Sequence, residues 1–179
     1  MLINICLIVV IIITGSVLAN YNRFIRLNNK VKEKESKIDI LLNQRFDLIP
    51  NLVECVKGYT KHEGGTFENL ARLRSSYNNN GFNINEAEKI NNEFGKLMAI
   101  VENYPELKAS SQFMNLQANL RQIEDKLNYA RIEYNNMVTR FNNLVEQIPS
   151  NIVAKIFNFE TKELFKIEEE KKENIRVSL

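Results

Sequence analysis

The 179-residue sequence has no tryptophan, one histidine, two cysteines, three prolines and six glycines. Two cysteines, Cys6 and Cys55, cannot build a disulfide framework, and a structural zinc site needs four ligands. A single histidine leaves little room for histidine-based catalysis, and so few turn residues exclude collagen-like and turn-rich β architectures. Charge of one sign is also missing. Twenty-four Lys and Arg against 22 Asp and Glu leave a net charge of +2, without the basic excess that nucleic-acid binding normally shows. No Gly-rich phosphate loop, nucleophile elbow or cysteine pair occurs. The length suits one domain of ordinary size with room for an appendage.

What is present is sharply divided. Residues 1–22 carry no charged side chain, and Met1 to Ala19 is almost wholly apolar. As a helix, Leu2 to Ala19 spans about 27 Å, close to the hydrocarbon thickness of a bilayer. A strand of that length would be about three times the usual one. The competing reading is a cleaved signal peptide, because Ala19 is a small residue at the end of the run. No Lys or Arg precedes the run, however, as an n-region requires. The cations follow it: Arg23, Arg26, Lys30, Lys32, Lys34 and Lys37, against Glu33 and Glu35. By the positive-inside rule residues 1–19 are an uncleaved membrane anchor, with the N-terminus outside and the body cytoplasmic. The alternative is an extracytoplasmic binding module released by cleavage after Ala19.

Beyond the anchor every pattern is helical, and the fold class is all-α: a transmembrane helix followed by an antiparallel bundle of about four long helices. Phe113, Leu116, Leu120, Ile123, Leu127, Ala130, Tyr134, Met137, Phe141, Leu144 and Ile148 alternate spacings of three and four, a coiled-coil-type seam that Pro149 ends. A second seam runs Ala87, Ile90, Phe94, Leu97, Val101, Tyr104 and stops at Pro105, with Asn85 and Glu88 as a capping box. Phe24, Leu27 and Val31 open another, but Lys34 takes its next position, which predicts that the membrane-proximal part projects alone. The pattern resumes at Ile38, Leu42, Phe46, Ile49, Val53 and Val56, and Pro50 predicts a kink or break near Phe46 to Ile49. Gly64 or Gly65 is expected to cap this helix, Thr66 to start a short one, and Asn78 to Gly81 to form a loop. Residues 20–159 make the bundle, with Ile152, Val153, Ile156, Phe157 and Phe159 folding back onto its end. Residues 160–179 read as a charged, solvated tail.

The run Asp39-Ile40-Leu41-Leu42-Asn43-Gln44-Arg45-Phe46-Asp47-Leu48-Ile49-Pro50-Asn51-Leu52-Val53-Glu54, with Val56-Lys57-Gly58-Tyr59 and His62-Glu63 after it, resembles the central signature of the LemA family. So do Tyr104-Pro105-Glu106-Leu107-Lys108-Ala109, Phe113, Leu116-Gln117 and Leu120, then Ala130-Arg131, Tyr134-Asn135, Phe141-Asn142 and Phe157-Asn158-Phe159. The resemblance implies a bacterial membrane protein with one N-terminal transmembrane helix, an outside N-terminus and a helical body. It implies no molecular function, and therefore no catalytic residues. The chain departs from the pattern near Glu35-Ser36, where the family often has tryptophan, and in the Asn78 to Asn80 stretch.

Direct inspection adds little chemistry. His62-Glu63 lacks the further ligands a metal motif needs and reads as a helix C-terminus. Cys55 has no histidine placed to activate it. Catalytic, cofactor-binding and metal residues are accordingly expected to be none. The densest polar cluster, Arg45, Asp47, Asn51 and Glu54 around Pro50, either satisfies backbone groups freed by the proline or forms a recognition patch. The sequence thus describes a membrane-anchored interaction or scaffold protein, with an unknown protein partner or self-association, and no cofactor.

Overall fold

The computed structural model describes residues 2–57, 64–80 and 82–165. Its helices, in chain order, are α1 (Leu2–Asp47), α2 (Ile49–Lys57), α3 (Gly64–Asn80), α4 (Ile84–Glu102), α5 (Pro105–Lys108), α6 (Ser111–Glu146) and α7 (Ser150–Ile156). The described residues contain no strand. The apolar stretch at the start of α1 runs without a break across Ala19 and Asn20 into the packed half of the same helix. No residue of its most apolar window is buried. Near Pro50 the chain breaks as predicted. Pro50 has no N–H to give the Phe46 carbonyl, so the helix closes with a tight Leu48 N–H to Arg45 carbonyl bond of 3.2 Å. It restarts as Leu52 N–H donates to the Leu48 carbonyl at 3.0 Å.

The body rests on α1 packed along α6, and the cross-contacts fix their direction. Arg45 meets Glu124, Lys37 meets Glu133 and Phe24 meets Phe141; as one number falls the other rises, so the pair is antiparallel. All the seam positions of α6 from Phe113 to Tyr134 are buried, as are Phe141 and Leu144. Between them Val138 is buried and Met137 only partly so. A seven-residue repeat falls back about 20° per heptad on a straight α-helix, and that drift carries Met137 off the buried face and brings Val138 onto it. Ile148, beyond the end of α6, is 83% exposed and leaves the seam.

The part of α1 that follows the apolar stretch, expected to project alone, does not. Phe24 and Val31 are fully buried, and Phe24 stacks on Phe159 with ring centroids 4.6 Å apart. At 36 residues α6 is long enough to cover this half of α1 as well. Lys34 is accommodated by reach: its stem lies along the seam while Nζ approaches Glu133 at 3.5 Å. Glu133 also accepts a hydrogen bond from Lys37 Nζ at 2.8 Å, and this bond, opposed by desolvation and supported by the charges of Lys37 and Lys34, holds its carboxyl below the usual glutamate range.

Helices α3 and α4 pair with each other, and their boundaries differ from the predicted ones. Gly64, Gly65 and Thr66 belong to the first turn of α3, and Asn78 to Asn80 to its last. Burial of Leu70 and Tyr77 along α3 outweighs the propensity cost of about 1 kcal/mol for each glycine. His62-Glu63 lies outside the described residues. The cap of α4 is Asn83, not Asn85: its Oδ1 accepts the backbone N–H groups of Asn85 (2.9 Å) and Glu86 (3.2 Å). Pro105 ends the run after α4 and takes the first turn of α5, where its missing N–H costs nothing.

The segment after α7 is the largest departure from expectation. Val153 and Ala154 turn inward and Phe159 wedges beside Phe24 and Phe141, so only part of the predicted apolar patch folds back. Residues 160–165 are not a solvated helix. They form an extended strap bound to α6 by two asparagines seven residues apart. Asn142 donates to the Lys162 carbonyl and accepts its N–H, at 2.9 and 2.8 Å. Asn135 does the same with Phe165, both at 2.9 Å. A side-chain amide carries one donor and one acceptor in the geometry of a peptide group, so each asparagine acts as one rung of a sheet ladder. Phe165 then buries its ring against Tyr134 and Phe82.

Two outcomes check this architecture in the full-length chain. Leu127→Ala should lower unfolding stability by about 2 to 5 kcal/mol, the range for a buried leucine cavity, and a loss below about 0.5 kcal/mol would place the seam at the surface. Asn135→Ala combined with Asn142→Ala should let the amides of Lys162 and Phe165 exchange with solvent much faster while those of α6 keep their protection. Unchanged protection at both would show that the asparagines do not hold the strap.

Candidate functional site

The four residues of the predicted polar patch separate. Arg45 is on the inward side of α1 and only 7% exposed. Asp47 points the other way, with its side chain 70% exposed, and pairs with Arg74 of α3 at 3.1 Å. Asn51 and Glu54 remain together. They line a cleft of about 430 Å³ with Leu48 and Cys55 on one wall and Gln112, Asn115, Leu116 and Asn119 of α6 on the other. The break before Pro50 causes the division: it ends the register of α1 at Asp47 and starts a new helix that lies against the first turns of α6.

Arg45 forms the floor of a second, mixed groove of about 390 Å³ between α4 and α6. Asn91, Phe94 and Met98 come from α4, and Gln117, Leu120 and Glu124 from α6. The guanidinium lies 4.0 Å from the Phe94 ring centroid, donates to Asn91 Oδ1 at 3.0 Å and pairs with Glu124 at 3.0 Å. Arg131 approaches the other oxygen of Glu124 at 3.9 Å. Burial pulls the Arg45 guanidinium down to about 10, against the attraction of Glu124, so it stays cationic at neutral pH. Two guanidinium groups thus share one carboxylate, and Nε of both Arg45 and Arg131 lacks an acceptor among the described residues. Arg121 adds a further cation at the rim.

The lining of this groove includes no histidine, cysteine, serine or threonine. Its carboxylate is neutralised by Arg45, and its other polar groups are amides and guanidinium donors. Among the described residues no three or more His, Cys, Asp or Glu side chains cluster as metal ligands would. Of the cysteines, Cys6 is exposed on the apolar stretch and Cys55 is half-buried in the α2 cleft. The sequence reading missed Asn91, Glu124 and Arg131. Each flanks a seam residue (Ile90, Ile123 and Ala130); Arg131 also stood in the Ala130-Arg131 motif, but a polar group beside a seam was the only signal of Asn91 and Glu124.

A helical bundle, led by a helix long and apolar enough to cross a membrane and bearing polar clefts between its helices, is the class of protein these features define. The model of the LemA family matches residues 34–179, and the chain belongs to that family. It is similar to magnetosome protein MamQ 2 of Paramagnetospirillum magneticum, 23% identical over 185 residues, spanning 87% of this chain and 68% of the relative. MamQ of Magnetospirillum gryphiswaldense is 23% identical over 84% of the chain and 66% of its own length. Protein LemA of Metamycoplasma hominis is 25% identical over 74% of the chain and 63% of its own length. None of these names denotes an enzyme.

The two arginine-level contacts predict unequal consequences. Arg45→Ala should destabilise the chain by about 2 to 4 kcal/mol, because Glu124 loses the nearer of its two guanidinium partners in a partly dry site and Phe94 loses its stacked cation. Asp47→Ala breaks only a surface pair and should cost less than about 1 kcal/mol. Chemical denaturation of both variants checks the ranking, and equal losses would contradict it.

Proposed function

We propose that this chain is a membrane-anchored, non-catalytic interaction protein of bacteria, tethered by the first half of α1 with its body on the cytoplasmic side. The observation that carries the reading is the two-part use of one helix. From Leu2 to Leu18 the apolar side chains of α1 are left uncovered by the body, apart from Val17, whereas from Phe24 to Phe46 the same helix supplies the core. Water would penalise so long an uncovered apolar helix, and a bilayer relieves that penalty. The cations after residue 22 favour retention of the body on the cytoplasmic side. A cleavage after Ala19 would cut α1 at the edge of its packed half, where Val17 and Tyr21 already touch the core. Partner contact is assigned to the clefts beside Arg45 and beside Asn51 and Glu54. Tethering raises their local concentration and makes weak contacts effective.

A C-terminal reporter active only in the cytoplasm should therefore work, and the mature chain should begin at or near Met1 by N-terminal sequencing. A mature N-terminus at Asn20 would overturn the anchor. For the clefts, charge reversal at exposed Glu54, as Glu54→Lys, should abolish recovery of cross-linked partners from intact membranes while far-ultraviolet circular dichroism is unchanged. Recovery at the level of the unaltered chain would remove that cleft from the proposal.

A further inference from the structure

We infer that the membrane-proximal end of the body is a second membrane-contact site, in which α7 lies in the bilayer interface and a ring of arginines and lysines beside it binds anionic lipid headgroups. This rests on the anchor reading above. The apolar stretch ends at Ala19, so Tyr21 stands about 3 Å further along the helix axis, at the level of the headgroups. Phe157, which follows α7, packs on Tyr21 at 4.7 Å, and Val17, one turn inside the apolar stretch, already touches the body. The body therefore reaches the bilayer surface instead of standing off on a stalk.

What it brings to that level is unusual for a face meant for water. Val153 and Ala154 fill the inner side of α7, and outside them Ile152 (58% exposed), Ile156 (62%) and Phe157 (44%) are open, with Ile148 just before the helix. Four large apolar side chains on and around one seven-residue helix are left largely uncovered by the described residues. An exposed apolar edge beside a bilayer partitions into the acyl boundary, and Tyr21 and Phe157 are the aromatic type that settles there.

Charge points the same way. A cleft of about 380 Å³ between α1 and the end of α6 is lined by Arg23, Arg26, Lys30 and Arg140, with Leu27 and Asn143 between them and no acidic residue among its walls. Lys155 adds a cation in the last turn of α7. None of these five forms a salt bridge with a described residue, while Lys34 and Lys37, a turn or two further from the membrane, are already paired with Glu133. Cations without a salt-bridge partner beside an apolar edge match a lipid phosphate above an acyl chain, and basic side chains near an anionic surface are drawn to it.

The absence of tryptophan makes the test direct. Three single-tryptophan forms of the full chain, Ile12→Trp, Ile156→Trp and Ile132→Trp, are reconstituted in phosphatidylcholine vesicles, with and without phosphatidylglycerol, containing lipids brominated near the headgroup end of the chain. Tryptophan at 156 should emit to the blue and be quenched by the bromolipid, more strongly when phosphatidylglycerol is present. Tryptophan at 132, exposed on α6, should be neither shifted nor quenched. Adding Arg140→Glu and Lys155→Glu to the Ile156→Trp form should remove the phosphatidylglycerol-dependent gain without changing helicity. Quenching at 12 but not at 156 would overturn this inference and leave the anchor standing. A blue-shifted but unquenched signal at 156 would mean that protein, such as a second copy, covers the edge, and would overturn it too. No quenching at 12 would defeat the anchor and this site together.

Discussion

The antiparallel contact between α1 and α6 is the constraint on which the rest depends. Each helix is long enough to cover the other from Phe24 beside Phe141 to Arg45 beside Glu124. Once these ends are matched, every other element has a fixed place. Helix α2 continues past the break onto the start of α6, the α3–α4 pair meets Arg45 and Phe46 through Asn91 and Tyr77, and α7 returns against α1 at Tyr21. Ordering a 46-residue helix costs backbone entropy along its whole length, and only its second half recovers that through core packing. The first half must recover it from its surroundings, which is the physical content of the membrane reading.

Polar groups in this fold help to close that contact. Glu124 sits between two guanidinium groups, and Glu133 between two ammonium groups, so α6 carries the anions and α1 supplies Lys34, Lys37 and Arg45 opposite them. Such pairs add little net stability, but a shifted register would leave charges unpaired next to the core. The asparagines of α6 complete the closure from the other side. By replacing peptide groups in a ladder they let an extended strap lie on a helix, an arrangement that neither secondary structure provides by itself, and Phe165 shields the Tyr134 hydroxyl. Burial, with the charges of Glu35 and Glu163 behind it, pushes that phenol up to about 12, and it donates to the Glu163 carbonyl at 3.2 Å.

The candidate site shows the same economy. The groove between α4 and α6 is floored by the Arg45 guanidinium, stacked on Phe94. Arg45 and Glu124 therefore serve the fold as well as line the groove. The Asn51 and Glu54 cleft is freer, because its polar side chains contribute nothing to the core.

Periodicity alone determined the all-helical class, the interruption before Pro50, the stop at Pro105 and the buried positions of α6 from Phe113 to Tyr134, since these follow from spacing and from proline's missing donor. The uncharged first 22 residues likewise identified the membrane-spanning candidate without any contact map. Adjacency between segments distant in sequence was beyond that reach. Lys34 in a seam looked like a gap because its partner, Glu133, lies 99 residues away, and Asn135 and Asn142 looked like solvated seam neighbours because the strap they bind is another twenty to thirty residues on. The motif pairs Tyr134-Asn135 and Phe141-Asn142 were visible; their division of labour, ring inward and amide to the strap, was not. Arg45 and Asp47, two residues apart and alike on paper, were sent to opposite sides of α1 by the helical turn of about 100° per residue, and only the position of α6 decided which one would be buried.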